Sequence, residues 1–86
     1  MNEVIFYNDK NVIYKNLRYF RQKRGLTQDQ LAAKMQVMNV NLDQRSISRI
    51  EHDLRFVTDY ELACFCLALG VTEAEMLSDF HEKYPE

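Results

Sequence analysis

One local pattern that starts α-helices recurs along this chain and leaves little room for a fold that is not helical. In the pattern, a threonine hydroxyl caps the new helix, a Glu or Gln three residues later returns a hydrogen bond, and flanking apolar residues pack together. Complete copies occupy residues 26–31 (Leu-Thr-x-x-Gln-Leu), 57–62 (Val-Thr-x-x-Glu-Leu) and 71–76 (Val-Thr-x-x-Glu-Met). A fourth copy, at 42–47, has Asp43 as the cap and Ser46 in place of the Glu or Gln. The chain is therefore predicted to start four short helices at these positions.

Apolar spacing predicts one more helix ahead of these four. Ile13, Leu17 and Phe20 recur at helical intervals, which indicates a helix over about residues 12–24 that Gly25 can close. The later helices are expected at 28–36, 44–52, 59–69 and 73–83, with a long loop at 37–42. A length of 86 residues with two glycines and one proline favours a single all-α domain. The predicted fold is a bundle of five helices.

The first eleven residues are predicted to form a short extended N-terminal arm, and residues 12–84 the helical domain. Residues 4–7 (Val-Ile-Phe-Tyr) are apolar and β-prone, and a polar stretch follows them. Three interpretations stay open for this arm: it lies over the bundle, it pairs as a strand with its twin in a dimer, or it frays.

The predicted helix at 44–52 has two unlike faces. Ile47 and Ile50 point one way, with Leu54 beyond them. The opposite face is polar and carries four candidate base-contacting residues, Gln44, Arg45, Ser48 and Arg49. Glutamine and arginine make two-pronged hydrogen bonds to the edges of adenine and guanine, and a helix fits the major groove. This pattern predicts a helix that reads double-stranded DNA.

The overall charge of −2 counts against nucleic-acid binding, for which a basic surface is expected. The charge is unevenly distributed. Residues 1–55 hold ten Lys and Arg against six Asp and Glu, whereas residues 56–86 hold one against seven. We expect the acidic half to face away from the phosphates.

Other classes of function find little support in the residues. No apolar run approaches the roughly 20 residues that cross a bilayer, so a cytoplasmic protein without a membrane partner is expected. Cys64 and Cys66 diverge on a helix, and with His52 or His81 they lack the ligand spacing of a zinc site. No phosphate-binding glycine loop and no nucleophile with a base partner is present. We therefore expect no enzyme, metal, cofactor or small-molecule ligand.

The order of several motifs resembles the lambda-repressor-like, or XRE-type, helix-turn-helix family. The matching pieces are Leu17-Arg18-x-Phe20-Arg21, Gly25-Leu26-Thr27-Gln28-x-x-Leu31-Ala32, Ile47-Ser48-Arg49-Ile50-Glu51, Leu69-Gly70-Val71 and Leu77. The resemblance covers about residues 12–80. It implies that the first helix of the motif crosses the DNA backbone and the second enters the major groove, usually from each half of a two-fold dimer. The implied function is a sequence-specific transcriptional regulator, a repressor acting as a homodimer.

Carried over by position, the resemblance assigns roles to individual residues. It implies a phosphate contact at Gln28 and base contacts at Gln44, Arg45 and Arg49, with Ser48 a weaker candidate. Ser46 can hold a phosphate, and Arg55, just after the motif, can reach another. Arg21 and Glu51 match a buried salt bridge between the first helix and the recognition helix.

Two departures from the family pattern keep a second function open. About six residues separate Gln36 from Asp43, where the family has a shorter turn with a glycine, and His52-Asp53 replaces the frequent Asn-Gly. The alternative is a protein-interaction module, such as an antitoxin or antagonist, that keeps the fold without DNA affinity. For a dimer, the first choice of interface is the last helix with Met76, Phe80 and Tyr84, and the second is residues 4–7.

Overall fold

The computed structural model describes residues 6–84, and the predicted all-α bundle is confirmed. The helices are α1 (Tyr14–Lys23), α2 (Gln28–Val37), α3 (Gln44–Glu51), α4 (Asp59–Leu69), α5 (Glu73–Met76) and α6 (Phe80–Lys83). The four longer helices match the predicted positions closely. The last predicted helix is divided into the one-turn helices α5 and α6, joined at residues 77–79. None of the helices in this part of the chain is long and apolar enough to span a membrane.

The repeated capping pattern explains where the helices begin. Thr27 accepts a hydrogen bond from the backbone N–H of Gln30, and the Gln30 side chain accepts one from the backbone N–H of Thr27. The same reciprocal pair forms at the starts of α4 and α5. Asp43 caps α3 by accepting from the backbone N–H of Ser46 at 2.8 Å. Each such cap stabilises its helix by about 1 kcal/mol.

The core forms where α3 packs against α1 and α2, and α4 packs against the same two helices. Its fully buried side chains include Leu17, Leu31, Met35, Ile47, Ile50, Phe65, Leu69 and Met76. Phe20 and Leu62 are partly buried against this cluster. Leu54, which was expected to extend the buried face of α3, is 48% exposed, so that expectation is wrong. The helix ends at Glu51 and Asp53 turns the backbone with φ +58°, which takes Leu54 off the helical face.

The long connection between α2 and α3 is anchored by its own side chains. Asn39 adopts a left-handed backbone conformation with φ +65°, which asparagine tolerates better than most residues. The N–H of Val40 then bonds to the carbonyl of Met35 at 3.0 Å and closes the end of α2. Val40 and Leu42 are buried, and the Gln36 amide donates to the Leu42 carbonyl at 3.0 Å. These contacts fix the position of the chain where it leads into α3, although the glycine of the family turn is absent.

Residues 6–11 lie on the bundle. Phe6 and Asp9 close a tight turn by exchanging two backbone hydrogen bonds of 2.9 and 2.8 Å. The Phe6 ring stacks on Phe80 of α6 at 5.8 Å, and the Tyr84 hydroxyl donates to the Asp9 carboxylate. Burial and the bond to Asp9 raise the pKa of Tyr84 to about 12, so the hydroxyl keeps its proton. Val4 and Ile5, half of the proposed pairing strand, lie outside the described residues.

Candidate functional site

The two faces of α3 separate as the residue pattern indicates. Ile47 and Ile50 have no exposed surface. Gln44, Arg45 and Arg49 are exposed on the other side, and Ser46 and Ser48 are half-buried. A contiguous polar and cationic surface therefore stands on a helix whose other face is fixed in the core.

A buried ion pair holds α3 to α1. The Nε of Arg21 donates to Oε2 of Glu51 at 2.6 Å, and its Nη2 donates to Oε1 at 2.9 Å. The two side chains are only 10% and 1% exposed. The remaining terminal nitrogen of Arg21 donates to the Leu26 carbonyl at 2.8 Å. This two-pronged geometry fixes the angle between the helices as well as their separation.

A chain of amide hydrogen bonds leads from this ion pair to the surface. Gln28, the first residue of α2, donates from Nε2 to Oε1 of Glu51 at 3.1 Å. Gln44, the first residue of α3, donates from its own Nε2 to Oε1 of Gln28 at 2.7 Å. The Gln44 side chain is thus held in one orientation by groups that are themselves held by the core.

The other polar residues of α3 are less constrained. Arg49 donates from Nη2 to the Leu54 carbonyl at 3.1 Å, just past the end of the helix, and Arg45 is exposed at the first turn. His52 lies 2.7 Å from the Ser48 carbonyl through Nδ1 and so folds back on the helix end. The backbone N–H of Ser46 is occupied by Asp43, and this bond holds the pKa of the Asp43 carboxyl below its usual range. An anion at Ser46 would therefore have to bind its hydroxyl.

Arg55 is engaged in a second ion pair. Its two terminal nitrogens each lie 3.0 Å from one oxygen of Glu61, and one of them also donates to the Phe56 carbonyl at 2.8 Å. Burial opposes the ionisation of Glu61, but bonds from Arg55 and from the backbone of Thr58 outweigh it and keep its pKa low. The charge of Arg55 is neutralised by a group inside the protein, which sequence patterns alone did not indicate.

Arg24 is another cation with a structural position. Its Nε donates to the Leu69 carbonyl at 2.7 Å, and its Nη2 donates to the Gly70 carbonyl at 3.3 Å. It thereby satisfies carbonyls at the end of α4, where a positive charge also complements the helix dipole. The guanidinium of Arg24 is therefore engaged at the end of α4.

The expectation that Met76, Phe80 and Tyr84 form an exposed dimer surface on the last helix is wrong. Met76 is fully buried, Tyr84 is 4% exposed, and Phe80 is half-buried between Phe6 and its neighbours. Among the described residues, two large exposed apolar side chains, Phe6 and Tyr7, lie beside Phe80 and Tyr84. The others are Tyr19, Val37, Leu54, Phe56, Tyr60 and Leu67. Three of these, Leu54, Phe56 and Tyr60, fall within nine residues after α3. We call these three side chains the post-helix patch.

Comparison with known proteins supplies one match. A family model described as helix-turn-helix matches residues 17–76, which is more than half of the chain. The match begins inside α1 and ends with α5, so it includes α2, α3 and both members of the Arg21–Glu51 ion pair. No curated protein matches the chain.

Proposed function

Because the chain belongs to the XRE-type, lambda-repressor-like helix-turn-helix family, we propose that it is a transcriptional regulator that inserts α3 into the major groove of double-stranded DNA. The observation that carries this proposal is the polar face of α3. Gln44, Arg45 and Arg49 stand exposed on a helix whose opposite side chains are completely buried. A helix with only a structural role has no need of that surface.

Each side chain on this face has a distinct part in the proposal. Gln44 would contact adenine, because an amide has two N–H donors and an acceptor, and its bond to Gln28 uses one donor. Arg45 and Arg49 would contact guanine, and Ser48 either base. Since the amide chain already orders Gln44, binding would cost less side-chain entropy there than at a mobile residue.

Phosphate contacts would set the register of α3 without reading sequence. We propose Gln28 and Ser46 for this role. Gln28 is the first residue of α2, where backbone N–H groups favour anions, whereas Ser46 would use its hydroxyl because its backbone N–H is bonded to Asp43. Arg55 remains a third candidate, but its ion pair with Glu61 would have to be shared with the phosphate. Its contribution would then be smaller than that of an unpaired arginine.

We further propose that two copies bind together and repress transcription by occupying a promoter. One eight-residue helix offers few base contacts, and a two-fold dimer doubles them. The post-helix patch is the surface proposed for the second copy. Arg55, which lies between Leu54 and Phe56 in the sequence, is already paired with Glu61, so pairing two patches would not bury its charge unpaired. Half-sites would then lie roughly 34 to 36 Å apart. With DNA as the target, we place this activity in the cytoplasm.

The alternative is a protein-interaction module that uses the same fold. The acidic balance of residues 56–86 and the exposed Tyr60 and Leu67 on α4 favour it, because an apolar surface among acidic residues suits a protein better than a phosphate backbone. In that case α3 would have no preferred DNA sequence.

Selection of binding sites from random duplexes at two salt concentrations separates the two functions. A regulator enriches one sequence, whereas a partner module enriches none even at low salt. On the selected site, Arg49→Ala should cost about 1 to 3 kcal/mol and lower the ratio of specific to scrambled affinity.

The matched control is Lys23→Ala, which removes the same charge from an exposed position on α1. It should weaken binding to both duplexes alike, because it removes long-range attraction without a base contact. An unchanged ratio in Arg49→Ala would mean that α3 does not read the sequence.

A further inference from the structure

Asn11 is a buried polar residue that joins three separate parts of the backbone. It is 7% exposed. Its amide nitrogen donates to the carbonyl of Ile50, near the end of α3, and to that of Arg55, in the following loop, each at 3.0 Å. Its side-chain oxygen accepts from the N–H of Ile13, just ahead of α1, at 3.0 Å. One side chain therefore connects the start of the bundle to the exit of the recognition helix.

Asp53, at the exit of α3, forms hydrogen bonds in the opposite direction, as an acceptor. Its backbone has φ +58°, and it forms the turn by which the chain leaves α3. Oδ1 of its carboxylate accepts from the backbone N–H groups of Lys10, at 2.7 Å, and Asn11, at 3.1 Å. Residues 10–11 and the α3 exit thus exchange four hydrogen bonds.

The same segment is fastened at its other end to the last helix. Asp9 accepts from the Tyr84 hydroxyl and lies 3.8 Å from Nζ of Lys83. Phe6 stacks on Phe80. The segment at 6–11 therefore has a fixed place between α6 and the α3 exit, and it lies outside residues 17–76, which the family model matches.

We propose that residues 6–11 position the recognition helix, with Asn11 and Asp53 as the positioning residues, so that the choice of DNA sequence depends on a segment outside the helix-turn-helix motif. This inference rests on the proposed function. The start of α3 is held by Asp43 and by the amide chain from the Arg21–Glu51 pair, and its end is held by Asn11 and Asp53.

Base reading depends on side chains kept within about 0.5 Å of their working positions. Long-range attraction between surface cations and the phosphates tolerates larger shifts. A loosened α3 exit should therefore lower discrimination between sequences more than it lowers affinity for DNA in general. Stability alone would not produce that difference in protein that is fully folded.

The experiment compares four variants. For each, the affinities for the selected site (the operator) and for a scrambled duplex are measured well below the melting temperature, which is itself measured separately. Asn11→Ala removes the bonds to Ile50 and Arg55. Asp53→Gly keeps the left-handed turn but removes the acceptor for residues 10 and 11. Asp53→Asn keeps both the turn and a side-chain acceptor, and is the conservative rescue. Thr72→Ala removes the cap of α5, and serves as a control for lost stability away from α3.

We expect Asn11→Ala and Asp53→Gly to lower the operator-to-scrambled affinity ratio by about tenfold, a difference of about 1.4 kcal/mol. Asp53→Asn should restore the ratio to near the wild-type value, and Thr72→Ala should leave it unchanged despite a lower melting temperature. If the first two variants discriminate as well as Thr72→Ala does, residues 6–11 only stabilise the fold and the inference fails alone. If the wild-type chain itself shows no preference, the proposed function fails, and this inference with it.

Discussion

Removing one member of the buried Arg21–Glu51 pair should cost far more stability than removing both. In Glu51→Gln, a guanidinium that is 10% exposed loses its counter-charge, while the bond from Arg21 to the Leu26 carbonyl remains. Breaking a buried pair in this way costs about 3 to 5 kcal/mol. A chain of 86 residues has a total stability of only about 4 to 13 kcal/mol at about 0.05 to 0.15 kcal/mol per residue. The variant should therefore lose a large part of its stability, with a fall in melting temperature of about 12 to 40 °C.

The double variant Arg21→Met with Glu51→Leu is the informative comparison. Two apolar side chains of similar length leave no charge in the core, so the double variant should be more stable than either single one. Denaturant unfolding of the wild type, Arg21→Met, Glu51→Leu and the double variant measures the coupling between the two residues in a double-mutant cycle. Glu82→Gln, which alters an exposed carboxylate on α6, should change stability by less than about 0.5 kcal/mol. Additive losses from the two single variants would refute the reasoning, because they would mean that the two charges act independently.

Three further outcomes follow from the structure. Ile47→Asp should abolish cooperative melting, because an unpaired charge in the core costs more than a domain of this size can lose; a soluble variant that melts cooperatively would contradict this packing. Phe56→Asp should give monomers by sedimentation and protection of a single half-site, whereas retained dimers would exclude the post-helix patch as the interface. Because the pKa of Glu61 is lowered in the folded state, its ionised carboxylate stabilises the fold at pH values above the usual pKa of 4.5. This contribution is lost as the pH falls through the lowered pKa. Glu61→Gln should therefore be less stable than wild type at neutral pH, and the gap measured by urea unfolding should narrow in acid; a constant gap would remove the ion pair with Arg55 as its cause.

Features governed by neighbouring residues were predictable from the sequence. A cap and its partner lie three residues apart, so the starts of α2, α3, α4 and α5 could be located from the pattern alone. The division between α5 and α6 could not. Met76 and Phe80 have helical spacing, but the chain turns between them so that Met76 enters the core and Phe80 meets Phe6. Apolar spacing does not distinguish those two surroundings.

The candidate site shows the same limit for charged and polar residues. Exposed positions on α3 follow from the periodicity of that helix, which the buried Ile47 and Ile50 define. The backbone carbonyls that Asn11 binds lie 39 and 44 residues away in the sequence, so no local pattern predicts these hydrogen bonds. Arg24 and Arg55 likewise found partners inside the fold. The charge balance of residues 1–55 therefore overstates how many cations are available to DNA.

The bond between Asp9 and Tyr84 also bears on the order of events in folding. It closes a loop of 75 residues, whereas the capping bonds span three residues each. The entropy lost on closing a loop grows with its length, so the short helices should form before the N-terminal segment docks. Weakening a contact made after the transition state speeds unfolding and leaves the folding rate nearly unchanged. The contact between Asp9 and Tyr84 should therefore affect the unfolding rate of the native state rather than its folding rate.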